Sequence, residues 1–135
     1  MVLDTSVLVA AWRSRNGASF ALLEHLRDES FEIAVSVPLV VEYEAVLLRH
    51  LAKGQRKADV EALVDYLCGV ARRQQIFFLW RPLLRDANDD MVAEAAFASG
   101  ASAIVTHNTR DFQPVLRLGI DVLVAGEFLR QVSRR

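Results

Sequence analysis

Short apolar runs of β-forming residues alternate with longer stretches of helical period along the whole chain, and this alternation limits the fold more than any other feature. "VLD" opens with an apolar strand that ends in an acid, and a helix follows over Val7 to Trp12. "RSRNG" turns, and "ASFALLEHLRD" carries apolar residues at helical spacing. "FEIAVS" alternates like a strand. "VPLVVEYEAVLLRHLA" is a helix with Ser36 as its N-cap and Pro38 in its first turn. A polar break over Lys53 to Arg56 leads into a second helix, "KADVEALVDYLCGVARR". "IFFLW" reads as a strand ended by Pro82, and "DDMVAEAAFASG" as a helix stopped by Gly100. "ASAIVT" and "DVLVA" are further strands, and "GEFLRQVSRR" is a terminal helix. Strand and helix in this rhythm predict a three-layer α/β/α sandwich with a mostly parallel central sheet, one domain over residues 1–135.

Composition removes several classes. With 53% hydrophobic and 24% charged residues the chain is globular and not disordered. No apolar run reaches the roughly 18 residues of a membrane span. The start, "MVLDTSVLVAAW", carries an acid at position 4 and no basic leader, so a secretory signal is not expected and the cytoplasm is the default location. The one cysteine, Cys68, allows neither an internal disulfide nor a zinc site of its own and reads as a buried helical thiol. A net charge of −1 gives no global nucleic-acid signal. The basic residues are nonetheless 14 arginines against two lysines. They fall in small groups: Arg13 with Arg15, Arg49, Arg56 with Lys57, Arg72 with Arg73, Arg81 with Arg85. A solvated surface explains them; so does a set of planar forks for phosphate.

The acids are more telling. In a parallel α/β sheet, ligands bind beyond the carboxyl ends of the strands. Asp4 follows the first strand directly, Glu42 and Glu44 sit on the helix after the second, and Asp111 lies six residues past "AIV". Asp86, Asp89 and Asp90 lead into the helix that feeds that same strand. Each has an ordinary explanation: Asp4 as a helix cap, Asp86, Asn88 and Asp89 as caps or first-turn acids, Asp111 as a turn residue. Glu42 is harder to explain, because the middle of an apolar helix is a poor place for a charge. Glu44 lies about 200° further round the helix, so both cannot face one site. Periodicity alone does not choose between them.

Several carboxylates at one edge need a counter-charge, and lysine is too scarce to supply it. Hard oxygen ligands suit Mg²⁺ or Mn²⁺. Such an ion activates water and neutralises a phosphodiester during in-line displacement, and arginines can hold a nucleic-acid backbone. Metal-assisted phosphodiester hydrolysis is the chemistry this donor set favours.

At these residues the chain resembles the PIN-domain ribonucleases, including the toxin halves of toxin–antitoxin pairs. The resemblance rests on "VLDTSVLVAA", "SVPLVVEYEAVL", "DANDDMVAEAAFASGASAIVTHNTRDF" and the closing strand and helix, in that order and at these spacings. By position it puts the family's acids on Asp4, Glu42, Asp90 and Asp111, which settles the choice against Glu44. Thr5 and Ser6 fall where the first turn is shaped, Thr106 and Asn108 on supporting polar positions, and Asp86 or Asp89 on a place for an outer-shell ligand. "T-H-N" departs from the "T-G-D" of many relatives, and Asp111 stands in for that acid. The resemblance implies a PIN-like fold and a Mg²⁺- or Mn²⁺-dependent endoribonuclease that leaves a 5′-phosphate and a 3′-hydroxyl. It further implies an antitoxin protein covering the site and a homodimer.

Other classes are weighed against this. A haloacid-dehalogenase-type phosphatase needs a second aspartate where Ser6 stands and a well-placed lysine. A response-regulator receiver needs paired acids at the first strand and a lysine past a later one, and both are missing. A non-catalytic PIN module that only binds a partner keeps the fold without the full acid set, whereas all four positions are filled here.

Overall fold

The computed structural model describes residues 1–26, 31–51, 54–73, 84 and 86–133. In chain order the elements are β1 (Val2–Leu3), α1 (Thr5–Arg13), α2 (Ala18–His25), β2 (Ala34–Val35), α3 (Val37–Arg49), α4 (Lys57–Val70), β3 (Arg72–Arg73), α5 (Ala87–Ser99), β4 (Ala103–Val105), a 3₁₀ helix (Thr109–Leu118), β5 (Asp121–Leu123) and α6 (Ala125–Ser133). Among the described residues no helix is long and apolar enough to cross a membrane.

All the strand pairs among the described residues are parallel. β1 pairs with β4 (Val2 opposite Ile104, Leu3 opposite Val105), and β4 pairs with β5. β2 pairs with β3 through Ala34–Arg72 and Val35–Arg73. β1-β4-β5 and β2-β3 thus form two short sheets, and a single backbone bond from Ala34 N to Met1 O, 2.9 Å, sets β2 beside β1, so the strands follow in the order β3-β2-β1-β4-β5. This is the α/β fold expected of the alternating pattern. β1 and β4 are wholly buried, which is why their sequences are continuous apolar runs and not alternating ones. β5, at the edge, exposes Asp121.

From β1 the chain first works outward to β2 and β3, then returns to β4 and continues to β5. With right-handed crossovers, α1 to α4 lie on one face, and α5 with the 3₁₀ helix on the other. α5 packs on β1, β2 and β4, and its inward residues Ala93, Ala95 and Ala96 are small enough to bring the helix close. Leu39, Tyr43 and Leu47 recur every fourth residue along α3 and fill the opposite side of the core.

Local signals act as expected at several boundaries. Ser36 Oγ accepts from Leu39 N at 3.3 Å and caps α3, with Pro38 in the first turn. Gly100 takes the left-handed conformation (φ 68°) that ends α5. Cys68 is a free, half-buried thiol on α4. Two boundaries differ from the sequence expectation. The helix expected through Arg73 stops at Val70, and Arg72–Arg73 pair with β2 instead; backbone pairing to an open neighbour overrides the good helix propensity of arginine. The stretch after "T-H-N" forms a 3₁₀ helix that spans Pro114 and buries Phe112 and Val115, three residues apart as that helix requires. The expected strand "IFFLW" and Pro82 lie outside the described residues.

Candidate active site at the sheet switch point

β1 and β4 are neighbours whose chains leave in opposite directions, so a crevice opens at their carboxyl ends. Asp4 closes β1 and Thr106 closes β4. Asp4 occupies the N-cap position of α1, yet its side chain makes no capping bond. The buried carboxylate turns to the crevice instead. Its Oδ2 accepts from Ser6 Oγ at 2.7 Å and from Thr106 Oγ1 at 2.7 Å. Each hydroxyl is in turn fixed by a backbone donor: His107 N to Ser6 Oγ at 3.0 Å, Asn108 N to Thr106 Oγ1 at 2.9 Å. The two hydroxyls give their protons to the same oxygen, which leaves Oδ1 without a donor among the described residues. The loop after β4 is thereby locked onto the end of β1.

Tyr43 braces the same corner from α3. Its buried hydroxyl donates to the Leu3 carbonyl, the residue before Asp4. Burial and then the charge of Asp4 push its ionisation well above the ordinary tyrosine range, so it remains a donor. Tyr43→Phe should cost about 1–2 kcal/mol by withdrawing that bond from a buried carbonyl. A urea melt with an unchanged slope and a lowered midpoint would show it; an unaltered midpoint would mean that the bond contributes nothing net.

A groove of about 630 Å³ runs from this corner between α1 and α3. Asp4, Thr5, Ser6, Glu42, Asp86, Asp89 and Asn108 line it. Glu42 lies on its wall and Glu44 does not, since consecutive residues of α3 lie about 100° apart and Tyr43, in the core, falls between them. Arg49 Nη2 stands 3.8 Å from Glu42 Oε1, a partly exposed pair of little energetic weight. Asp86 caps α5 by accepting from Asn88 N at 2.8 Å.

The two adjacent acids of α5 divide. Asp89 lines the groove, and its carboxyl is pushed from 3.8 up to about 7, first by burial and then by the charges of Asp4, Asp86, Asp111 and Asp90. Asp90 is buried beneath the helix start, and its Oδ1 accepts from Leu84 N at 2.9 Å. Asp90 does not line the groove, nor does the exposed Asp111 at the start of the 3₁₀ helix. Both still add to the field at Asp89. Among the described residues, no three acidic, imidazole or thiol side chains already stand at metal-ligand spacing. The donors on the groove wall are hard carboxylate oxygens, and their mutual repulsion at Asp89 is what a divalent cation would relieve.

Arg13, one of the arginines expected as forks for phosphate, is on the groove, together with Val46, His50 and His107, which the sequence did not single out. The signal was present: Glu42, Val46 and His50 recur every fourth residue, and Ser6, Val9 or Ala10, and Arg13 share one face of α1. His107 is held by its ring, with Nε2 2.9 Å from Ser19 Oγ. A smaller cavity of about 290 Å³ lies at the other end of the strands, against Phe31 and Phe128, and holds no such collection of acids.

The sequence profile of the PIN domain matches residues 1–110, and no curated protein matches the chain. The matched stretch carries β1 through β4 and every groove-lining residue, and β5 extends the same sheet. PIN domains are generally nucleases. With most of its length matched and its acids gathered at the carboxyl ends of β1 and β4, the chain belongs to the PIN-domain family.

Proposed function

We propose that the protein is a Mg²⁺- or Mn²⁺-dependent endoribonuclease, the toxin of a toxin–antitoxin pair acting in the cytoplasm. The observation that carries this reading is the convergence of Asp4, Glu42, Asp86 and Asp89 on one groove at the switch point. Asp4, Glu42 and Asp89 would hold the ion, whose chemistry when bound is water activation and charge neutralisation for in-line phosphodiester hydrolysis. Ser6 and Thr106 hold Asp4 Oδ2, so Oδ1 is presented in one orientation. Asp90 positions the start of α5 through Leu84 N, and Asp111 contributes charge from the flank. Asn108 offers a neutral amide to the substrate backbone at the acidic end.

The toxin assignment draws on the motif order and on an apolar stripe of α3. Val37 and Val41 are 77% and 62% exposed, beside the helix face that carries Glu42. Such a stripe suits an antitoxin that covers the groove, or a second copy in a homodimer. The test is cleavage of a single-stranded RNA in Mg²⁺ and in EDTA, with end-group analysis. Cleavage only in Mg²⁺, leaving 5′-phosphates, supports the reading. Hydrolysis of p-nitrophenyl phosphate with intact RNA would replace it with a phosphatase.

A further inference from the structure

The groove is electrically polar along its length. Its acids lie at the end where α1 begins and Asp86 and Asp89 enter. Its other end is formed by Arg13, in the last turn of α1, and His50, which caps α3. By helical rise Arg13 lies about 13 Å along α1 from Asp4, and His50 about 12 Å along α3 from Glu42. Between the ends the lining is apolar: Val9, Ala10 and Val46.

Arg13 is exposed and has no ion-pair partner among the described residues. Arg13 and His50 both sit at helix C-termini, where the dipole favours the charge of Arg13. His50 is held by a 2.8 Å bond between Nδ1 and the Val46 carbonyl. A carbonyl can only accept, so Nδ1 carries a proton, and in the neutral ring Nε2 is an acceptor. An acceptor that shares a groove with a guanidinium matches a ribose and its phosphate better than phosphate alone, because the 2′-hydroxyl is a donor that DNA lacks.

We propose that Arg13 and His50 form a backbone subsite for RNA, a few nucleotides from the scissile phosphate. Arg13 forks onto a phosphate, His50 Nε2 accepts the adjoining ribose 2′-hydroxyl, and the base between lies over Val9, Ala10 and Val46. This rests on the nuclease reading above and adds to it a source of preference for RNA over DNA.

Binding separates the two claims. In an Asp4→Asn background, which is not expected to cleave, a labelled single-stranded RNA and its DNA counterpart are titrated by fluorescence anisotropy in Mg²⁺ buffer. Arg13→Ala should weaken RNA binding roughly tenfold and reduce the salt slope by about one. Arg13→Lys should recover only part of this, since lysine has no fork. The background protein should bind RNA about three- to tenfold tighter than DNA, the worth of one hydrogen bond. His50→Phe should lower RNA affinity to the DNA level and leave DNA affinity unchanged, while His50→Gln, with a donor and an acceptor, should retain some preference. If His50→Phe does not fold, single 2′-deoxy substitutions walked along the RNA give the same information on the background protein, where one position should weaken binding by that factor. Flat affinities across the variants, no RNA binding, or equal losses on RNA and DNA for His50→Phe would overturn the subsite. Normal RNA cleavage by the wild type together with flat binding would remove the subsite alone. The expected binding shifts with no cleavage would remove the nuclease reading and keep the subsite.

Discussion

Asp4→Asn is expected to abolish Mg²⁺-dependent RNA cleavage, with a fall in rate on the order of 10²–10³-fold or more, while the protein stays folded. The asparagine keeps an oxygen that can accept from Ser6 Oγ and Thr106 Oγ1, so the lock between the β1 and β4 ends survives. What it loses is the charge at Oδ1, and a neutral amide is a poor ligand for a hard dication. Glu42→Gln should act in the same direction, since Glu42 lies on the groove wall. Glu44→Gln, off the groove, should leave the rate within about twofold, as a surface change away from the site usually does. Gel-based cleavage of one RNA by the three variants, with circular dichroism to establish folding, decides the matter. Equal loss from Glu42→Gln and Glu44→Gln would put the site elsewhere.

Much of the fold is legible in the sequence because its signals are local. Val2–Leu3 and Ala103–Val105 are uninterrupted apolar runs since both faces of those strands are covered, and Ser36, Pro38 and Gly100 mark helix ends by their own bonding and backbone preferences. What escapes is decided by partners distant in sequence. Arg72–Arg73 continue a helical pattern, and only pairing with Ala34–Val35 draws them into β3. The 3₁₀ helix hides behind Pro114, although Phe112 and Val115 carry its period. The site divides in the same way. Asp4 can be placed from its strand end, whereas helix period leaves Glu42 and Glu44 open and only the family resemblance selects Glu42. Nor does spacing choose between Asp89 and Asp90, because neighbours on a helix point about 100° apart and a shift of one residue in the start of α5 exchanges them. That start is set by Asp86 bonding to Asn88 N, one of several caps the sequence allows, and Asp90 is buried with its bond to Leu84 N, which composition and spacing do not reveal.

A thermal melt tests that choice. At pH 8 in EDTA, Asp89→Asn should melt about 3–8 °C above wild type. The carboxyl of Asp89 is held at about 7 in the folded protein, against 3.8 without the fold. Between those values the folded state keeps a proton that the unfolded chain has released, so stability falls as pH rises through the window. Above pH 7 both states are ionised and the penalty is complete; below 3.8 it vanishes. Asp89 is only half-buried, and screening by solvent trims the penalty to about 1–2 kcal/mol. Asparagine has no such titration, so the gap between variant and wild type should narrow as pH is lowered from 8 towards 4. Mg²⁺ should raise the melting temperature of wild type by mass action, and Asp89→Asn should lose most of that gain. Asp90→Asn should behave differently. Its oxygen already holds Leu84 N at 2.9 Å in a buried setting, and the amide gives up the charge that strengthens this bond. It should melt at or below wild type in EDTA and keep a metal-induced rise. If Asp90→Asn instead melts higher in EDTA and gains nothing from Mg²⁺, while Asp89→Asn tracks wild type, then Asp90 is the ligand and Asp89 the neighbour that supports it.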